Sequence, residues 1–157
     1  MIDQKPLLTL NQKLKKISDE LEETAKKIKI VAVQELTSEV NEMRNTIILE
    51  MQRGTKTGEK YKRGKHLHQA SGPGEYPAVD RGELLTSIFY DVDESKMEVE
   101  LGNLVGAPYG GFLEEGTKKM EPRKWLEPTV DKHEDELVKH IGNVVFRELQ
   151  KPFEGIH

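Results

Sequence analysis

The chain has 157 residues, 35% of them apolar and 33% charged, which suits one domain with a thin core and some apolar surface left for contacts between subunits. It has no cysteine, which excludes a disulfide framework and a thiolate metal site. No apolar run approaches the ~18 residues of a membrane span, and the opening MIDQKPLLTL lacks the basic start and apolar core of a secretion signal, so a cytoplasmic protein without membrane contact is expected.

The net charge of −4 is unevenly placed: residues 1–53 sum to 0, residues 54–81 to +3 and residues 82–157 to −7. A basic middle and an acidic second half can meet between neighbouring subunits arranged head to tail. Both can equally be plain solvated surface.

The first third predicts one long helix over 1–53. Leu7, Leu10, Leu14, Ile17, Leu21, Ala25, Ile28, Ala32, Leu36, Val40, Met43 and Ile47 follow steps of three and four, averaging about 3.6 residues. Pro6 suits its start and Gly54 its stop. Around Ile28–Val33 the apolar residues leave the single stripe, so the helix is buried on more sides there, or it bends or breaks. At ~1.5 Å per residue it reaches ~70 Å, too long for the rest of the chain to cover. Part of its stripe is therefore expected to meet another copy or a partner. A coiled-coil dimer acting as a scaffold is a further reading, although the 3.5-residue repeat is not sustained past Val31.

Residues 54–82 read as an extended loop, with six glycines, two prolines and neither helical nor strand period. Its first part is basic, with Lys56, Lys60, Lys62, Arg63 and Lys65 around Tyr61, followed by His66 and His68. Two strands are expected next, over 86–92 and 96–101, with a turn at Asp93-Glu94-Ser95. In the second, Met97, Val99 and Leu101 alternate inward. Pro108 opens a short helix through Tyr109, Phe112 and Leu113 that Gly116 ends, and a last helix begins near Pro128 and stops at Pro152. Its apolar positions are Val130, Leu137, Ile141, Val144, Val145 and Leu149. The fold class is α+β: a long N-terminal helix, a small antiparallel hairpin sheet, a short helix and a C-terminal helix. Residues 1–157 form a single domain.

Constellations for chemistry are weak. His66 and His68 lie two apart on a loop without further ligands, so they read as a solvated pair. His133 and His140 flank HEDELVK much as histidines flank the zinc-protease helix, but that motif needs them four apart, and seven residues span ~10 Å. They are expected to face solvent, with Glu136 pairing to His140. Ser71 and Ser87 lack a nucleophile-elbow context, and Glu114 and Glu115, being adjacent, point to different helix faces. No enzyme activity, metal or cofactor is expected. The basic run can contact phosphates or serve as an assembly arm, and the acidic chain as a whole favours the arm. Trp125, the only tryptophan, is expected to be a structural anchor, and replacing Phe112 and Trp125 by alanine should unfold the domain.

Two stretches carry a family resemblance. The first is Tyr109, a small residue, Phe112-Leu113-Glu114, Gly116-Thr117, Lys119-Met120, then Pro122-Arg123, Trp125-Leu126 and Pro128. The second is the basic Tyr- and His-bearing run, then ASGPGEYPAVD, then Gly82, Leu84, Ser87 and Ile88. In this order they resemble the head–tail joining (neck, or tail-completion) proteins of long-tailed, lambdoid phages, over about half the chain, from Gly58 to Leu137. Arg81 stands where that family often has threonine. The resemblance implies a non-enzymatic structural protein of the phage or prophage neck. Copies would assemble as a ring of six, touch other neck and tail proteins, and be put together in the bacterial host before residing in the virion. It implies contacts through Lys60, Tyr61, Lys62, Arg63, Lys65, His66, His68, Tyr109, Phe112, Glu114, Gly116 and Thr117. The rival class is a cytoplasmic nucleic-acid-binding module using the basic run at 56–65.

Overall fold

A computed structural model of the protein describes residues 5–151, with side chains from Thr9 onward. The fold is α+β: helix α1 (Lys5–Arg53), strands β1 (Lys60–Arg63) and β2 (His66–Gln69), helix α2 (Glu83–Ser87), strands β3 (Ile88–Asp93) and β4 (Glu98–Asn103), helix α3 (Tyr109–Glu115) and helix α4 (Glu127–Gln150). Pro152, expected to stop α4, lies outside the described residues, as does the side chain of Leu7.

The chain forms two compact units. One takes residues up to Glu35 and from Val138, the other Leu36–Leu137. In the first unit, α1 carries one-turn ion pairs, Lys16–Glu20, Glu22–Lys26 and Glu23–Lys27. These are fully exposed groups that support helicity only slightly. Its leucine–isoleucine stripe, Leu10, Leu14, Ile17 and Leu21, is exposed, as are Val138, Phe146 and Leu149 of α4. The helix is continuous through 28–33, so the apolar excess there marks wider burial, at Ala32 and Val33, and not a break.

The second unit holds the main core: Ile47 and Met51 of α1, Leu84, Ile88, Ala107 and Trp125, with Tyr76, Val79, Leu85, Leu101, Leu113 and Leu126 packed against them. Burial of these side chains is the main driving force for this unit. Gly54 ends α1 by donating to Glu50 O at 2.8 Å. A Cβ there would come within 2.4 Å of that same oxygen, which is why only glycine fits.

Residues 54–82 are not a structureless loop. β1 and β2 form a hairpin with the register Lys60↔Gln69, Tyr61↔His68, Lys62↔Leu67 and Arg63↔His66. Gly64, with φ 61°, opens its two-residue turn, as primed hairpin turns require. The apolar alternation that announces a strand is missing because both faces are polar.

The other sheet, β3–β4, lies about two residues later than the sequence suggests, with Ile88↔Asn103 and Asp93↔Glu98 at its ends. Residues 86 and 87 belong to α2 instead. Thr86 Oγ1 bonds back to Gly82 O and Glu83 O, and Ser87 Oγ to Leu84 O, so hydroxyls satisfy the helical carbonyls. Met97 does not point inward: it sits in the connecting loop at φ 57° and is 44% exposed. Asp93 Oδ1 holds that loop by accepting the N–H groups of Ser95 and Lys96.

Candidate functional site

The implied contact residues fall on two segments of the second unit, the β1–β2 hairpin and α3 with the turn after it. In the hairpin, Lys60, Tyr61, Lys62, Arg63, Lys65, His66 and Leu67 are exposed, and His68 is half-buried. Cross-strand partners share a face. Tyr61, Arg63, His66 and His68 therefore occupy one face, and Lys60, Lys62, Leu67 and Gln69 the other. Tyr61 and His68 meet edge-on, with centroids 5.0 Å apart, and Arg63 forms an ion pair with Asp80. Lys56, counted with the basic run in the sequence, is turned inward. Its Nζ donates to Glu50 O and Tyr76 O, both at 3.2 Å, and burial lowers its pKa.

The base of the hairpin is pinned by the ASGPGEYPAVD segment. Gly58 N–H donates to Ala70 O, and Glu75 Oε2 accepts the N–H groups of Gly72 at 2.7 Å and Thr57 at 2.9 Å. Those two N–H groups, Gly72 first, hold the Glu75 carboxyl below its ordinary range. A depressed carboxylate stabilises the fold above its unfolded pKa of about 4.3, and that contribution is lost as pH falls through the lower, folded value. Glu75→Gln should therefore lower the urea midpoint at neutral pH, and the gap from wild type should close on acidification. An unchanged gap down to the acid transition would contradict this. Ser71 Oγ accepts the Ala78 N–H, and the Tyr76 hydroxyl meets Thr129 Oγ1 at 2.9 Å. Ser71 and Ser87 hydroxyls are thus both buried in local bonds.

In the second segment most implied contacts prove to be engaged within the unit. The Tyr109 hydroxyl accepts the Leu84 N–H at 2.8 Å, at the start of α2. That helix has no side-chain cap of its own. The tyrosine thus supplies an acceptor from a distance. Glu114 accepts three backbone N–H groups, from Trp125 at 2.7 Å and Leu126 at 2.9 Å on Oε2 and from Glu127 at 2.8 Å on Oε1. It caps the N-terminus of α4. Gly116 adopts φ 76°, ψ −177°, where a Cβ would come within 2.9 Å of Met120 O and Pro122 Cδ. Thr117 closes the following turn, donating to Met120 O at 2.8 Å. Gly116→Ala should cost about 1–3 kcal/mol, read as a lowered midpoint in urea unfolding; an unchanged midpoint would contradict the strain.

Phe112 is 60% exposed and Trp125 only 2%. The expectation that both hold the core is therefore corrected: Trp125 does so, donating Nε1–H to Gly110 O at 3.1 Å, and Phe112 presents its ring to solvent. A Cβ at Gly110 would meet the Asn103 side chain, with Oδ1 at 2.4 Å, so that side chain would have to shift.

The two segments come together at one hollow of about 180 Å³, lined by Arg63 and Asp80 on one side and Tyr109, Leu113, Leu84 and Met51 on the other. That is below the ~300 Å³ lower end of small-molecule sites and suits an inserted side chain better than a cofactor. His133 was expected to face solvent. It is buried instead, with Nε2 3.1 Å from Thr46 Oγ1, near Glu39 and Glu42. Of the apolar positions of α4, Val130 and Leu149 are exposed, while Thr129 and His133, four and eight residues after the buried Trp125, are buried. No described helix is long and apolar enough to cross a membrane.

Comparison with known proteins gives no match to a family model, a curated protein or a solved structure.

Proposed function

We propose that this chain is a non-enzymatic assembly subunit of a long-tailed phage or prophage neck, joining filled heads to tails as part of a ring. The ordered resemblance over residues 58–137 supports the reading. The single observation that carries it furthest is the hairpin: a charged arm with exposed residues on both faces, standing beside a side-chain-sized hollow at Arg63 and Tyr109. Head-to-tail closure would seat one copy's hairpin against the next copy, a heterologous contact that closes into a ring. The exposed stripe at Leu10, Leu14, Ile17 and Leu21 supplies apolar surface that assembly with copies or other neck and tail proteins would cover.

Replacing Lys60, Lys62, Arg63 and Lys65 together by glutamine tests it. The fold should survive, because the one ion pair lost, Arg63–Asp80, is partly exposed and worth about 1 kcal/mol or less. Ring formation and head–tail joining should fail. Normal joining by the quadruple variant would remove the arm's role. A second reading, a nucleic-acid-binding module, rests on the same exposed cations around Tyr61. Salt-sensitive DNA binding by the purified protein, abolished in the quadruple variant, would favour it over the neck.

A further inference from the structure

Away from the hairpin and α3, one face of α1 and one turn of α4 bring three metal-type donors together. Glu39 and Glu42 are three residues apart on α1, so their side chains are neighbours. His133 comes from α4. One ligand atom from each lies within 4.8 Å of the other two. Glu39 and His133 are 5% and 8% exposed, while Glu42 reaches solvent.

The imidazole carries the argument. Its Nε2 lies 3.1 Å from Thr46 Oγ1, and its Nδ1 is buried with no hydrogen-bond partner among the described residues. With Nε2–H donating to the threonine hydroxyl, the neutral ring keeps its lone pair on Nδ1. This is the arrangement by which a hydrogen bond at one ring nitrogen orients the other for a metal. One ring nitrogen of His133 lies within 4.8 Å of a carboxylate oxygen of each glutamate, and an imidazole lone pair together with two carboxylates suits a cation. The ring is also presented by a fixed turn: Thr129, one turn earlier, is fully buried, donating to Trp125 O at 2.7 Å and meeting the Tyr76 hydroxyl.

We propose that Glu39, Glu42 and His133 form a binding site for a divalent transition-metal ion of the Zn²⁺ type, which ties α1 to α4 within the second unit. One imidazole nitrogen with two carboxylate oxygens selects such ions over Mg²⁺ and Ca²⁺, which take oxygen shells. Tetrahedral ligation at ~2.0–2.1 Å separates donors by ~3.3 Å, so each pair of donors has to close by at most ~1.5 Å, through side-chain adjustment of the buried Glu39 and His133 as well as of the exposed Glu42. Glu42 also gives the ion its path in, and a water completes the shell. The site is independent of the neck reading.

Calorimetric titration of the chelator-treated full chain with Zn²⁺ alone, and with Mg²⁺ alone, tests it. We expect one Zn²⁺ per chain, undiminished when His66→Ala and His68→Ala remove the hairpin pair, and weakened at least tenfold in Glu42→Gln. Because Glu42 is exposed, that variant keeps its fold, which circular dichroism checks. Co²⁺ should give visible absorption bands of a tetrahedral centre that Glu42→Gln lacks. Absence of saturable binding, unchanged binding in Glu42→Gln, loss in the hairpin double variant, or Mg²⁺ binding as tight as Zn²⁺ would each overturn the site.

Discussion

Trp125→Ala should unfold the unit formed by Leu36–Leu137. The indole is 2% exposed and packs with Ile47, Met51, Leu84, Ile88 and Ala107. Truncating a buried aromatic to alanine costs about 3–5 kcal/mol through lost transfer energy and the cavity left behind. The Gly110 carbonyl also loses its indole N–H partner, adding about 1 kcal/mol or more. Against a total stability of about 5–15 kcal/mol, little margin remains. Near-ultraviolet circular dichroism and urea titration read the outcome. Phe112→Ala is the internal control: its ring is 60% exposed, so the midpoint should move by about 0.5 kcal/mol or less. A Trp125→Ala protein with a wild-type midpoint would contradict the assigned core.

The second large effect belongs to Glu114. Every helix leaves its first N–H groups without intrahelical partners, and a residue just before the helix normally accepts them. Here a carboxylate on α3 takes the N–H groups of Trp125, Leu126 and Glu127, and so fixes the position of the tryptophan as well as the start of α4. Negative charge at that end also favours the helix dipole. Glu114→Ala should cost about 1.5–3 kcal/mol, the range for hydrogen bonds to a charged group. Glu114→Gln, which keeps one acceptor oxygen, should cost less. Hydrogen exchange at Trp125, Leu126 and Glu127 should accelerate in the same order. Glu115→Ala is the comparison, since Glu115 is exposed; equal effects at the two glutamates would refute the cap.

These two residues show what the sequence made legible. α1 could be read because its 3.6-residue period is long and Gly54 stops it. The α+β class, the short helix before Gly116 and the start of α4 followed from punctuation by Pro108, Gly116 and Pro128. The tryptophan's burial followed from its being a large apolar group beside a helix start. The cap was hidden because Glu114 precedes the amides it serves by eleven or more residues, outside any local capping pattern. The β1–β2 hairpin was hidden because Lys60–Arg63 and His66–Gln69 are polar on both faces, so no alternation marks them, and only Gly64 hinted at the turn. Strand β3 was read as starting two residues early because Thr86 favours strands by composition but here bonds back to helical carbonyls. His133 was read as solvent-facing once its seven-residue spacing from His140 excluded the zinc-protease pattern. The four-residue spacing from Trp125 through Thr129 was the missed signal, since it places the histidine on the buried face. Its acidic neighbours on α1 lie 94 and 91 residues away in sequence, and no spacing rule joins them.

The same comparison reshapes the proposed contacts. Tyr109, Glu114 and Gly116 each also have a role within the unit, while the hairpin tip, Phe112 and Thr117 are exposed. Electron microscopy of lysates from a phage or prophage lacking this gene tests the neck assignment most directly. The account predicts DNA-filled heads and complete tails, separate from one another and joined again when the gene is restored. Intact infectious particles in the deletion would contradict it.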